Sequence, residues 1–203
     1  MLWLIPICFA IASYFWLDAP LALFIHAHVP KLFIYKIASL TIAPLIHLFS
    51  FSLLTLISLT KRLRPYLPLC LHFFILIVTI FAITGTLKII MGRARPDFFI
   101  PTGFYGFRFF EGFVHNFRSF PSSHAAAAFG LAYLWSKLKH KHSLNIYFLA
   151  ILLTSTRLLL RCHFLSDILA GAMVGILSAK FSLLSIKQIG QVLHLSDKRL
   201  NDS

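Results

Sequence analysis

Long apolar stretches separated by short polar connections make up most of this chain. A helix rises about 1.5 Å per residue and needs about 20 apolar residues to cross the ~30 Å hydrocarbon core of a bilayer. The stretches are apolar on all sides, whereas strands of a membrane β-barrel would alternate polar and apolar residues. The pattern predicts an all-α integral membrane bundle of six transmembrane helices. The predicted segments are Leu2–Leu17, Ile37–Leu59, Leu69–Ile90, Ser123–Leu138, Leu144–Leu160 and Phe164–Ile186.

Composition supports a membrane protein. The 203 residues are 59% hydrophobic and 12% charged, against roughly 45 to 50% and 25% in soluble domains. We therefore expect a single membrane domain over residues 1–203, with a polar tail after about residue 186 that lies at the surface or frays. The apolar N-terminus lacks a basic start and a small-residue cleavage site, so it is interpreted as a retained first crossing.

Basic residues dominate the charge and predict an orientation. Lys and Arg number 19 against six Asp and Glu, a formal charge of +13. In a bilayer this excess indicates loops on the cytoplasmic side, and no nucleic-acid partner is expected. The predicted location is the inner membrane, with the opposite face toward the periplasm or exterior. The basic loops contain Lys61, Arg62 and Arg64, then Lys137, Lys139 and Lys141, and the tail contains Lys198 and Arg199.

Ionisable residues cluster at helix ends on that opposite face. Lys88 ends the third predicted helix, His124 begins the fourth, and Arg157 ends the fifth. His163 and Asp167 begin the sixth. Alternating crossings bring these four ends to one side, and ionisable residues near a membrane indicate function. The set predicts an anion site with acid–base groups.

The first two groups of residues favour phosphate. Lys88 and Arg95 flank a turn, and Pro96 is expected to stop the helix so that Arg95 points back. Ser122 and Ser123 precede four alanines at a helix start, where free N–H groups favour an anion. Ser122 is expected either to cap the helix or to bind an oxygen. His124 in this first turn could protonate a departing alkoxide.

The third group supplies a nucleophile. His163 and Asp167 are four residues apart on one helix face, so the carboxylate is expected to accept a hydrogen bond from one ring nitrogen while the other attacks. Arg157 would hold the developing negative charge. Arg93 and Arg161 add positive charge beside the motifs, either as contacts to a second phosphate or sugar headgroup or as interfacial residues.

These spaced residues resemble the three-part signature of the type 2 phosphatidic acid phosphatase family. That resemblance implies a six-helix bundle that hydrolyses lipid phosphates and diphosphates without a metal. The reaction would take place at the outward-facing side of the membrane that the bundle spans. The resemblance also implies that His163 becomes phosphohistidine, Asp167 orients it and His124 protonates the leaving group. The matching residues are Lys88 with Arg95-Pro96, Pro121-Ser122-Ser123-His124, and Arg157 with His163 and Asp167; Lys88, Arg95, Ser122, Ser123 and Arg157 would bind the phosphoryl group.

This chain departs from the family pattern at two positions. Ser123 stands where the family often has Gly, and Thr156 stands where Ser often precedes the arginine. Ser123 adds a side chain where backbone should approach the phosphate, and Thr156 keeps the hydroxyl. Both are interpreted as tolerated variants that could lower activity.

The expected function is a metal-independent, cofactor-free membrane lipid phosphatase. Its substrate would be undecaprenyl diphosphate, phosphatidylglycerol phosphate or phosphatidate, or a lipid A phosphate. The alternatives are a lipid phosphotransferase with the same intermediate and a small anion or lipid transporter. A metal site using His26, His28 or His115 is disfavoured because none shows the close helical pairing of zinc ligands. Residues 98–120 are interpreted as either an interfacial lid or packing material.

Overall fold

The computed structural model describes residues 4–30, 67–138 and 143–201, together with Leu53, Leu56 and Thr60. Within these ranges every regular element is helical, apart from an isolated bridge between Arg93 and Phe107. Three of the described helices are long and apolar enough to cross a membrane: Leu4–His28, Cys70–Met91 and Leu165–Ser185. The predicted all-α membrane fold is thus confirmed. The predicted second helix, Ile37–Leu59, lies almost entirely outside the described residues.

The N-terminal helix is longer than predicted. It consists of α1 (Leu4–Ala12), a π-helical turn (Ser13–Leu17) and α2 (Asp18–His28), joined without a break. The predicted end at Leu17 is wrong, because the helix continues through Asp18. The side chain of Asp18 does not extend into solvent. Its side chain is instead buried in the protein, with 1% of its surface exposed.

The end of the next helix is set by glycine. Helix α3 (Leu67–Met91) stops where Gly92 adopts a φ of +54°, and a Cβ there would lie 1.7 Å from the carbonyl oxygen of Arg108. Pro96 does not stop α3 as predicted. It begins the short helix α4 (Pro96–Thr102), a position where its missing N–H has no helical partner to lose. A single 3₁₀ turn (His115–Phe117) follows in the loop.

Three further helices complete the described bundle: α5 (Ser123–Leu138), α6 (Ser143–Leu159) and α7 (Leu165–Asn201). The core lies between α3, α5 and α7, where Leu76, Ile80, Ala126, Leu134 and Ala179 are buried together. Helix α7 continues to Asn201, beyond the predicted end near residue 186. The added sequence contains no proline to interrupt the helix.

A seam of small residues brings α5 and α7 together. A Cβ at Gly175 would lie 2.0 Å from the carbonyl oxygen of Ala126, and one at Gly171 would lie 2.3 Å from that of Ser122. Only glycine permits such a backbone approach. The seam therefore holds the beginnings of α5 and α7 side by side, and these are the helix ends that carry the predicted site.

Candidate active site

His163 lies at the centre of the residues predicted to form the site. Its side chain is 4% exposed and follows α6 just before α7 begins. Burial lowers the pKa of His163 well below its usual value, and the positive charges of Lys88, Arg157, Arg95 and His124 lower it further. The structure thus brings these residues together. A neutral imidazole at physiological pH keeps a lone pair available for attack.

The orientation of the ring is set by a backbone carbonyl. Nδ1 of His163 lies 2.8 Å from the carbonyl oxygen of Ser119, so this nitrogen carries the proton and donates. The lone pair is then on Nε2. The predicted direct hydrogen bond to Asp167 is wrong: Nδ1 and Oδ2 of Asp167 are 3.9 Å apart, too far for such a bond. The loop that ends at α5 supplies the acceptor in its place.

Asp167 is connected to the ring through Ser119. The hydroxyl of Ser119 donates to Oδ2 of Asp167 at 2.6 Å, and the N–H of Phe164 donates to the same oxygen at 2.8 Å. The second contact lets the carboxylate cap the first turn of its own helix. Asp167 therefore ties the loop that carries the Ser119 carbonyl to the start of α7.

Three cations face the histidine, and none of them forms an ion pair with a carboxylate among the described residues. Nζ of Lys88 donates to the carbonyl oxygens of Arg118 and Pro121, at 3.0 and 2.7 Å. Nε of Arg95 and both Nε and Nη1 of Arg157 are buried and have no hydrogen-bond partner among the described residues. Burying an unpaired guanidinium N–H is costly. This arrangement is suited to an anion with several acceptor oxygens, such as phosphate.

Ser122 and Ser123 both have partners within the protein. Oγ of Ser122 accepts from the N–H of Ala125 at 3.4 Å, so of its two expected roles the structure shows the helix cap. Oγ of Ser123 donates to Oγ1 of Thr84 at 2.9 Å and ties α5 to α3. Their hydroxyls hold the start of α5, the turn that carries His124.

Arg93 does not fit the predicted headgroup contact. Its side chain is 1% exposed. Nη1 donates to Oδ1 of Asp167 at 2.5 Å and to Oγ of Ser166 at 2.6 Å. Nη2 donates to Oδ2 of Asp18 at 2.8 Å and to the hydroxyl of Tyr105 at 3.1 Å. Arg93 is therefore a buried structural cation whose charge is balanced inside the protein.

Arg161 faces the end of the N-terminal helix. Its Nη1 contacts Nδ1 of His26, and its Nε lies 3.9 Å from Oδ1 of Asp97. Its φ is +55°, and its backbone carbonyl accepts from the N–H of Asp97. These contacts are consistent with a role in joining α2 to α4, and a headgroup contact stays a prediction.

Sequence reasoning missed two residues that organise the site. Asp18 carried a usable signal, because it is one of six acidic residues and lies in an apolar segment, where a charge indicates a buried partner or a function. Ser119 carried no such signal. It contributes its backbone carbonyl, which every residue has.

The comparison with known families decides what the chain is. A family model described as the PAP2 superfamily matches residues 66–190, more than half of the chain. The chain belongs to the PAP2 superfamily. This membership confirms the resemblance based on the three motifs, and the matched range includes all of them. Asp18 and the whole N-terminal helix precede it.

Two curated proteins are similar to part of the chain. The lipid A 1-phosphatase of Rhizobium johnstonii is 36% identical over 104 residues, which are 51% of this chain and 41% of that protein. The lipid A 1-phosphatase of Rhizobium etli is 34% identical over 103 residues, 51% of this chain and 43% of that protein. The chain thus matches about two fifths of each relative's length. No solved structure matches.

Proposed function

We propose that this PAP2 chain is a membrane lipid phosphatase that works through a phosphohistidine at His163. One observation carries the proposal. The ring donates through Nδ1 to the Ser119 carbonyl, which leaves Nε2 as the nucleophile, and it faces two arginines, Arg95 and Arg157, with buried guanidinium N–H groups that have no acceptor among the described residues. A nucleophile beside several cationic hydrogen-bond donors is the arrangement that phosphoryl transfer requires.

In the first step Nε2 of His163 attacks phosphorus, and the bond from phosphorus to the lipid oxygen breaks. His124 gives its proton to that departing oxygen. Lys88, Arg95 and Arg157 hold the equatorial oxygens, whose charge is greatest in the transition state. Nδ1 of His163 keeps its proton, hydrogen-bonded to the Ser119 carbonyl, throughout. The phosphorylated ring therefore carries a positive charge, which Asp167 stabilises with Oδ2 at 3.9 Å from Nδ1.

In the second step water replaces the lipid. His124, now neutral, takes a proton from the water as its oxygen attacks phosphorus. The bond from phosphorus to Nε2 breaks, inorganic phosphate leaves, and both histidines return to their first state. If another lipid's hydroxyl or phosphate took the place of water, the same intermediate would give a phosphotransferase.

We propose a lipid A phosphate as the first substrate to test, because both similar curated proteins are named lipid A 1-phosphatases. Undecaprenyl diphosphate and phosphatidylglycerol phosphate or phosphatidate are the other members of the test panel. The proposed setting is the inner membrane, with the site toward the periplasm or exterior as loop charge predicts.

No metal enters the proposed reaction. Among the described residues, no group of three His, Cys, Asp or Glu side chains could hold a metal ion. Lys88, Arg95 and Arg157 would supply the charge stabilisation that a divalent cation gives elsewhere. We therefore expect phosphate release to survive EDTA and to be inhibited by vanadate, which adopts the geometry of the transition state.

The full chain in detergent, with the substrate panel, tests this proposal. Wild type should release phosphate and form an acid-labile, base-stable phosphoenzyme, while His163→Ala should do neither. His28→Ala is the matched control, because His28 is exposed and bonds only to a carbonyl within its own helix among the described residues. Substantial turnover by His163→Ala, or loss of activity on chelation with recovery on adding magnesium or zinc, would refute the mechanism.

A further inference from the structure

Asp18 brings the N-terminal helix into contact with the start of α7. Its Oδ1 accepts from the backbone N–H of Ser166 at 3.0 Å, and its Oδ2 accepts from the Ser166 hydroxyl. The same oxygen accepts from Nη2 of Arg93 at 2.8 Å. The π-helical turn ends immediately before Asp18. Within that turn, the backbone carbonyl of Tyr14 accepts from the Tyr105 hydroxyl at 2.5 Å, which fixes this part of the helix against the loop.

Arg93 lies between two carboxylates that belong to different helices. Nη2 bonds to Asp18 and Nη1 bonds to Asp167. The rings of Tyr14 and Phe164 lie 4.8 and 4.7 Å from the guanidinium carbon and exclude water from it. One positive charge and two negative charges leave a net charge of −1 in this buried cluster. Arg93 thus neutralises about one carboxylate.

The geometry connects this charge to the nucleophile. Oδ1 of Asp167 accepts from Arg93, and Oδ2 accepts from the Ser119 hydroxyl. The Ser119 carbonyl in turn accepts from Nδ1 of His163. Without the Asp18 charge, the full charge of Arg93 would act on Asp167. It would weaken the attraction between Asp167 and the positively charged ring that forms during reaction. It would also draw the carboxylate away from Ser119.

We infer that Asp18 is a positioning residue of the active site, which balances Arg93 so that the charge and hydrogen bond of Asp167 remain directed to His163. This inference rests on the proposed phosphatase function and extends it to a helix outside the matched range 66–190. The N-terminal helix is then part of the catalytic apparatus as well as a membrane crossing.

The main test compares Asp18→Asn with Ser13→Ala in the full chain. Both positions are buried in the same helix, and the Ser13 hydroxyl has no partner among the described residues, so its loss is a control for disturbed packing. Asp18→Asn should lower kcat about 10- to 100-fold with little change in KM, because the phosphate donors are untouched. Ser13→Ala should keep both constants.

The pH profile separates positioning from packing. Among the described residues, the charged groups that face His163 are Lys88 from α3, Arg95 before α4, His124 from α5, Arg157 from α6 and Asp167 from α7. Removing the Asp18 charge makes this surrounding more positive and lowers the His163 pKa. Because His163 must be neutral to attack, the acidic limb of kcat/KM should move to lower pH by about half a unit.

A double variant tests the charge balance directly. Asp18→Asn with Arg93→Gln removes one charge of each sign, so the net charge beside His163 returns to −1. Its acidic limb should lie at the wild-type pH, and its kcat should exceed that of Asp18→Asn. A purely structural role predicts that losing both partners is worse than losing one. If Asp18→Asn does not fold, the double variant alone decides by the position of its acidic limb.

The outcomes distinguish this inference from the function on which it rests. If wild type and His163→Ala behave alike, the phosphatase proposal fails. If wild type is active and depends on His163, but Asp18→Asn keeps the wild-type kcat and pH profile, the role of Asp18 is refuted while the phosphatase proposal stands. A double variant that folds yet keeps a shifted acidic limb contradicts the charge balance in the same way.

Discussion

Arg93 and Arg95 are two residues apart, yet their surroundings differ in charge. Arg93 donates to two carboxylates and is enclosed by aromatic rings. Nε is buried without a partner in Arg93, Arg95 and Arg157 alike, but Arg95 and Arg157 form no ion pair with a carboxylate among the described residues. Burial and the nearby charge of Arg157 lower the pKa of Arg95, whereas the carboxylates of Asp167 and Asp18 outweigh burial and raise that of Arg93. The presence or absence of a carboxylate partner therefore indicates whether an arginine stabilises the fold or is suited to bind an anion. Its position in a motif is less informative.

The largest expected effect concerns Arg157, which has no carboxylate partner among the described residues. Arg157→Ala should lower kcat/KM by about 10³-fold, because it removes donors aimed at developing phosphoryl charge. Its melting temperature should stay at or above that of wild type, since a buried positive charge without a partner is lost. Vanadate inhibition should weaken in parallel. Phosphate-release assays and thermal denaturation in detergent measure both, and a variant that melts far lower would contradict the idea that Arg157 is unbalanced in the free protein.

The next largest effect concerns Arg93, whose charge is balanced by two carboxylates. Arg93→Ala leaves Asp18 and Asp167 facing each other without a cation and should lower the free energy of unfolding by about 3 to 5 kcal/mol. Arg108→Ala is the control. Its pair with Glu111 is exposed and 3.4 Å long, and its half-exposed guanidinium lies 4.9 and 5.0 Å from the rings of Phe104 and Phe117, so the loss should be about 1 to 2 kcal/mol. Denaturant titration of the solubilised protein gives both values. Equal stability of the two variants would remove the distinction between the arginines.

The smallest effect concerns a residue beside the site that already has a partner. Ser123→Gly restores the residue that the family often has, and it deletes the hydrogen bond to Thr84. We expect a loss of about 1 kcal/mol in stability and a kcat within about twofold of wild type, because the hydroxyl is directed to α3. Thr84→Val, which removes the same bond from the other side, should match it in both assays. A large rise in kcat for Ser123→Gly alone would show that Ser123 obstructs the phosphate.

The convergence of Lys88, His124, Arg157 and His163 was predictable because alternating helices place successive ends on opposite sides of a membrane. That argument needs the helix order and no knowledge of packing. The pairing of Asp18 with Arg93 was not predictable in this way, since it joins residues 75 positions apart in sequence. The Ser119 carbonyl depends on the path of a loop, and the end of α3 depends on the backbone conformation of Gly92. These features belong to tertiary structure, and hydrophobic pattern does not encode them locally.

The glycine seam between α5 and α7 has a consequence for the lipid environment. Helices respond to a thinner or thicker bilayer by tilting, and packed helices can slide past each other by small amounts where side chains separate their backbones. At Gly171 and Gly175 the two backbones touch, with no side chain between. A change of tilt must therefore carry α5 and α7 together, and His124 moves with His163. Hydrophobic mismatch would then alter the depth of the reacting pair in the membrane and leave the distance between the two histidines unchanged.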